Sequence, residues 1–258
     1  MSESTNNLHA IILAAGKGTR MQSELPKVMH EVAGRPMVNW VIDAARTAGA
    51  KRIVVVVGHR GDLIRDELAG QSDIEFVEQA EQLGTGHAVD MAREAFADAP
   101  DSNVFVLCGD GPLIRSETLE TLLDTHHSEE ASGTLATAII DDPAGYGRIV
   151  RDDENTFERI VEQKDATEEQ LAIREINPSY YCFRTGMLFD HLSRVSNENA
   201  SGEYYITDIF RLMLDSGHGV SVVAAVPPED VLSINTLEHL AEVDSILKSR
   251  LIADGDHQ

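Results

Sequence analysis

The chain is short of positive charge: 21 Lys and Arg stand against 44 Asp and Glu among 258 residues, a net of -23. That balance argues against nucleic acid as a partner, because the overall field repels a polyanion. Cysteine is nearly absent. Cys108 and Cys182 stand in unlike contexts without metal-ligand spacing, so no disulfide framework or structural zinc site is expected, and a reducing cytoplasm is the default. Both cysteines read as buried hydrophobes. No apolar run approaches the roughly 20 residues of a membrane span. Met1 to Asn7 are polar and lack the features of a signal peptide, so neither membrane nor export is expected. Repeats, low-complexity tracts and Gly/Ser linkers are missing too. A soluble cytoplasmic protein forming one domain over 1–258 is the simplest expectation, and a hydrophobic content of 42% suffices for a large core.

What is present alternates. Short β-branched runs at Ala10-Leu13, Arg52-Val57, Glu75-Val77 and Val104-Leu107 are separated by helical patterns near 36–48, 60–69, 85–97 and 116–127. This order predicts an α/β fold with a doubly wound, mostly parallel sheet. After Ser132 strand and hairpin signals dominate, at Thr134-Ile140, Gly147-Arg151, Phe157-Gln163 and Ile176-Phe183, divided by turn formers and a polar stretch, Asp165 to Gln170. Helices return at about 186–195 and 207–215, followed by a strand at Val220-Val226 and a helix from Thr236 to about Ile252. The expected organisation is a half over about 8–130, a β-rich half over about 131–235, and a terminal helix in 236–258.

The apolar run Leu8 to Ala15 breaks into Gly16-Lys17-Gly18-Thr19-Arg20-Met21 and then Leu25-Pro26-Lys27. Two glycines after a strand leave backbone N–H groups open to an anion, and Lys17, Arg20 and Lys27 supply positive charge around it. The segment reads as a triphosphate cradle. Its spacing is not that of a P-loop, which has four residues between its first Gly and the Gly-Lys-Ser/Thr, and Met21 stands where a dinucleotide fingerprint has its third Gly. Charge supports the reading. Residues 1–60 hold eight basic and four acidic side chains, whereas the remainder holds 13 and 40, so a small anion meets its most favourable field beside this turn. The acidic remainder reads as solubility chemistry.

In doubly wound sheets ligands bind beyond the carboxyl ends of the strands, so the glycine turn and Cys108-Gly109-Asp110 are expected to face one pocket. Asp110 suits Mg²⁺, which takes one or two protein oxygens plus phosphate and water, although taken without context it better suits the turn Gly109-Asp110-Gly111-Pro112. A second Gly-x-Gly lies in Gln79-Ala80-Glu81-Gln82-Leu83-Gly84-Thr85-Gly86-His87-Ala88 at a helix entry. Its amides could read a nucleobase edge, or the stretch could be an ordinary helix start with Thr85 as cap and His87 exposed.

Taken together and in order, LAAGKGTRM with LPK, QAEQLGTGHA, GDGPL, GYGRIV, IVEQKDA, EIN and NASGEYYITDI resemble the uridylyltransferase domain of the bacterial N-acetylglucosamine-1-phosphate uridylyltransferases, from about residue 9 to 240. The resemblance implies a Rossmann-like nucleotidyltransferase fold with a β-rich acceptor-binding lobe. It implies an Mg²⁺-dependent enzyme that joins UTP to a sugar 1-phosphate and releases pyrophosphate. Carried over by motif, Leu13, Ala14, Ala15, Gly16, Lys17, Gly18 and Thr19 would hold the nucleotide, with Arg20 and Lys27 as the catalytic cations on its phosphates. Gln79 and Gly84 would recognise uracil, with Gln82 and Thr85 beside them. Asp110 and Asn235 match the family's metal ligands, and Gly147, Glu162 and Asn177 would bind the amino sugar and its phosphate. Such chemistry needs no protein nucleophile, because the site supplies position and charge neutralisation.

Four departures qualify the match. Cys108 replaces the usual aromatic residue before Gly-Asp, Pro178-Ser179 replace a small residue and Gly, and Ile234 and Thr236 flank Asn235 in place of Val and Asn. The chain also ends at Gln258 after one helix. The hexapeptide-repeat β-helix of the bifunctional relatives is therefore not expected, and any acetyltransferase partner would be a separate protein. The first three departures cluster near the expected acceptor pocket. N-acetylglucosamine 1-phosphate is the leading acceptor. Glucose 1-phosphate, another nucleoside triphosphate, or a non-catalytic nucleotide-sugar sensor are the alternatives. His126-His127 read as an exposed helix end, Asp141-Asp142 as a turn, and Glu203-Tyr204-Tyr205 as pocket wall.

Overall fold

β1 (Leu8–Ala14), β4 (Ile53–Val57), β5 (Ile74–Glu78) and β6 (Asn103–Cys108) pair in parallel, in the order β6-β1-β4-β5. The inner strands β1, β4 and β6 are near-continuous apolar runs, as sheets covered on both faces require. They belong to a computed structural model that describes residues 7–16, 18, 21 and 23–255; Lys17, Thr19 and Arg20 lie outside the described residues. Side chains alternate across the sheet. Ala10, Ile12, Ile53, Val55, Phe105 and Leu107 pack with one layer of helices, whereas Ile11, Val54, Val56, Val104 and Val106 pack with the other.

The first layer is α1 (Met37–Thr47), α2 (Gly61–Glu67) and α4 (Ser116–Ser128). In α1, Val38, Val41, Ile42 and Ala45 recur at helical spacing and are buried. The second layer is α3 (Thr85–Asp90), α6 (Thr185–Leu192) and α7 (Asp208–Asp215), which bury Val89, Leu188 and Phe210 against the opposite face. The fold is the doubly wound, mostly parallel sheet that the sequence predicts.

The second half adds strands to the same sheet. β7 (Gly133–Ile139), β10 (Glu175–Arg184) and β11 (Val220–Val223) extend it to the order β11-β7-β10-β6-β1-β4-β5. β10 runs antiparallel to both of its neighbours, and the hairpin of β8 (Gly147–Arg151) and β9 (Phe157–Val161) branches from its start. Phe157, Tyr181, Phe183 and Phe210 form an aromatic group under that branch.

Several elements differ from expectation. The helix expected over 85–97 stops at Asp90, after which bonds tighten to an i→i+3 pattern through Phe96, with the Arg93 guanidinium folded onto Asp90. The polar stretch before Leu171 contains α5 (Glu168–Leu171), started by a capping box between Thr167 and Gln170. A small hairpin, β2 (Glu31–Val32) with β3 (Arg35–Pro36), follows Lys27. His126 is not exposed: it continues the stripe Leu119 and Leu122 of α4 into the core, where its Nδ1 meets Thr134 Oγ1 at 2.8 Å and burial lowers its pKa to about 4. Cys182 is buried, but Cys108 is only partly so.

The last helix, α8 (Leu237–Gly255), closes a third apolar cluster with Val32, Met37, Leu113 and Ile234. Asp230, 1% exposed, pins it: Arg115 Nε donates to Asp230 Oδ2 at 2.5 Å and Arg250 of α8 pairs with the same carboxylate. No described helix is long and apolar enough to cross a membrane. Replacing Asp230 with Ala takes the carboxylate from Arg250 and leaves Arg115 only the longer pair with Glu229 at 3.5 Å. Urea denaturation of Asp230→Ala is expected to show a loss of about 3 kcal/mol, the low end for breaking a buried pair because Arg115 keeps some water. An unchanged midpoint would mean that α8 is held by apolar contact alone.

Candidate active site

The carboxyl ends of β1 and β6 meet where the parallel ladder continues one residue past β6, Gly109 N donating to Leu13 O at 2.9 Å. Beyond them Leu13, Ala15, Gly16, Lys27, Gln79, Gln82, Gly84, Thr85, Cys108 and Asp110 line one cavity of about 330 Å³. Ala14 does not line it; its side chain is buried in the core beneath. Gly18, with φ +59°, lets the turn fold onto Lys27, because a Cβ there would stand 2.8 Å from Lys27 Cβ.

Lys27 is the meeting point of three distant segments. Its Nζ forms an ion pair with Asp110 Oδ2 and donates to Asn235 Oδ1 at 2.7 Å, in a half-buried setting. Asn235 arrives there on a loop that bonds back across the cleft: Ile234 N donates to Asp110 O at 3.3 Å, and Tyr146 OH donates to Val231 O at 2.9 Å. Among the described residues no group of three His, Cys, Asp or Glu side chains could hold a metal. A divalent cation at this point would therefore rest on one carboxylate and one amide oxygen.

The second glycine stretch forms the opposite wall. Gln82 Nε2 donates to Ala15 O at 2.6 Å, and Gln79 Nε2 donates to Gly84 O at 3.0 Å and meets His87 Nδ1 at 3.1 Å, so His87 is half-buried rather than exposed. Gly84, not Thr85, takes the cap position of α3. Thr85 Oγ1 instead accepts from Ile206 N at 3.1 Å. Backbone bonds from Tyr204 N to Leu83 O (2.8 Å) and from Gly86 N to Tyr204 O (2.7 Å) clamp the stretch like an added strand. Gly84 makes the clamp feasible. Its φ is +114°, and a Cβ would come within 2.5 Å of Tyr204 O. The motif around Glu203-Tyr204-Tyr205 signals this support, but the bonds run through the backbone, which side-chain identity does not reveal.

A second cavity of about 200 Å³ joins the first through Leu13, Thr85, Cys108 and Glu203. Glu162 lines it and accepts from Thr207 Oγ1 at 3.0 Å. Burial raises the Glu162 pKa, and the nearby Asp208, Asp165 and Glu203 add to the rise. Gly147 pairs with Asn177 across β8 and β10, and a Cβ on Gly147 would lie 3.6 Å from both Asn177 Cβ and Glu162 Oε1. The structure thus brings Gly147, Glu162 and Asn177 together. Ser179, one of the departures noted in the sequence, also lines this cavity.

Residues 10–203 match the model of the MobA-like NTP transferase domain. The chain belongs to that family. Within the NTP transferases it is 46% identical over 246 residues to the bifunctional protein GlmU of Bacillus cereus (strain G9842), covering 95% of this chain and 53% of that protein. It is 45% identical over 248 residues to the bifunctional protein GlmU of Pelobacter propionicus, covering 96% and 54%. The chain spans about half the length of the curated relatives it matches. Its fold is that of UDP-glucose pyrophosphorylase, whose crystal structure with UDP-glucose superposes with a TM-score of 0.76 at 18% identity, over 95% of this chain and 99% of that one.

Two outcomes follow from this geometry. Gly84→Ala adds a methyl against the Tyr204 backbone at a strained φ, and thermal unfolding should show a loss of at least about 1–2 kcal/mol; a neutral substitution would mean that the clamp yields. Glu162→Gln removes a carboxylate whose charged form is disfavoured in the fold. Since the folded-state pKa is raised, wild type is penalised above that pKa and released as pH falls through it. Melting curves across pH should show the Gln variant more stable at pH 8, with the gain fading toward pH ~4. A gain that grows on acidification would contradict this.

Proposed function

We propose that this chain transfers a uridylyl group from UTP to N-acetylglucosamine 1-phosphate, giving UDP-N-acetylglucosamine and pyrophosphate. The observation that carries the reading is the convergence on Lys27: its ammonium meets Asp110 and Asn235 at the edge of a cavity walled by the glycine turn and by the Gln79 to Thr85 stretch. Membership of an NTP transferase family and the likeness to the first half of bifunctional GlmU proteins support the same chemistry.

In this reading Leu13, Ala15, Gly16 and Gly18 hold the nucleotide, together with Lys17 and Thr19. Gln79, Gln82, Gly84 and Thr85 present the edge of the cavity to uracil. The acceptor sits toward Gly147, Glu162 and Asn177, its phosphate directed at the junction near Cys108. A phosphate oxygen of the acceptor attacks the α-phosphorus in line, the bond to the β-phosphate oxygen breaks, and pyrophosphate leaves with that electron pair. Charge on the phosphates grows toward the leaving group. Lys27, together with Arg20, neutralises that charge, which is the larger part of what such a site supplies.

The donor set at Asp110 and Asn235 fits Mg²⁺. Two oxygens of different segments already converge on one cation, the Lys27 ammonium, and Mg²⁺ binds one or two protein oxygens alongside phosphates and water. Bound there, Mg²⁺ would supply further neutralisation of the triphosphate. A cytoplasmic setting, with no nucleic-acid or membrane partner, completes the reading and agrees with a net charge of -23.

Pyrophosphate release measured across nucleoside triphosphates and sugar 1-phosphates, with and without Mg²⁺, tests this. Release is expected to be fastest with UTP, N-acetylglucosamine 1-phosphate and Mg²⁺. Lys27→Ala should lower turnover about 10²–10³-fold while folding normally, since Ala keeps the Cβ that packs on Gly18. No release with any pair would leave a nucleotide-sugar sensor as the reading, and near-normal turnover of the variant would remove Lys27 from the mechanism.

A further inference from the structure

Ser179 holds a backbone conformation that a side chain disfavours. Its φ is 69°, in the left-handed region, at the point where the register of β10 against β7 slips between Ile176 and Tyr180. Asn177 fixes this turn from within: its Oδ1 accepts from Ser179 N at 3.1 Å while its Nδ2 donates to Tyr181 OH at 2.7 Å. Glycine would take the same φ without strain. Serine keeps a hydroxyl there.

That hydroxyl faces a defined place. The Ser179 side chain lines the second cavity together with Cys108 and Tyr181. Cys108 belongs to both cavities, so a molecule reaching from one to the other passes these residues. Leu13, Val106, Leu107 and Ile206 make the surrounding wall largely apolar, and Glu162 and Thr207 are already bonded to each other. Strained backbone persists where its surroundings over-determine it, and it gathers at ligand clamps.

We propose that Ser179 determines acceptor specificity: its hydroxyl hydrogen-bonds a polar ring substituent of the sugar 1-phosphate and so discriminates between acceptors that differ there. This rests on the uridylyl-transfer reading above. A purely structural Ser179, merely tolerated in a turn that Asn177 builds, is the competing account.

Two variants separate the accounts. Ser179→Gly removes hydroxyl and strain together, whereas Ser179→Ala removes the hydroxyl and keeps the strain, so the Gly variant should melt above the Ala variant. Both should raise KM for the preferred sugar 1-phosphate roughly three- to tenfold, the scale of one neutral hydrogen bond. Both should narrow the kcat/KM ratio between N-acetylglucosamine 1-phosphate and glucose 1-phosphate, with KM for UTP unchanged. Melting temperatures that move while acceptor KM values and their ratio stay fixed would overturn the role of Ser179 alone. Wild-type protein that turns over no sugar 1-phosphate would overturn the reading beneath it, and this role with it.

Discussion

Much of this structure depends on a single ammonium. Lys27 comes from the turn after β1, Asp110 from the end of β6, and Asn235 from the loop that precedes α8, yet the three meet within hydrogen-bonding distance. The arrangement needs Gly18 to let the turn close on Lys27, and it needs the Ile234 N–H on the Asp110 carbonyl to bring Asn235 alongside. A carboxylate and an amide oxygen aimed at one point form a site that accepts positive charge. In a protein so rich in acids, that point is defined by geometry more than by the overall field.

The two halves of the chain are joined through backbone. β10 lies between β6 and β7, so Asn177 is carried by the same sheet that carries Leu13 and Cys108. Tyr204 does the equivalent on the other wall, adding its peptide groups to the stretch that ends at Gly86. The two cavities therefore share walls, with Cys108 and Glu203 common to both.

The sheet's parallel core was legible because β4 and β6 are unbroken β-branched and apolar runs, and α1 and α4 show apolar spacing of three and four. The strand over Ile176-Phe183 was legible too, but not its place between β6 and β7, nor the register slip that absorbs the missing N–H of Pro178 beside the left-handed Ser179. His126 was misread because a polar type on an apolar stripe obeys the stripe. Gly147, Glu162 and Asn177 were reached through motif resemblance, and what brings them side by side is pairing of β8 with β10 on one edge and with β9 on the other, which no spacing in the sequence encodes. The clamp on Gly84 escaped notice for a related reason, since its partners are peptide groups.

Asn235 is synthesised 208 residues after Lys27. During synthesis the glycine turn, β1 and β6 emerge first and can pair, but the amide oxygen, the Ile234 N–H and the Arg250 that anchors Asp230 do not yet exist. The polar centre is therefore complete only once the segment that carries Asn235 has been made. That late segment supplies the last polar group of the centre, the Asn235 amide oxygen on Lys27.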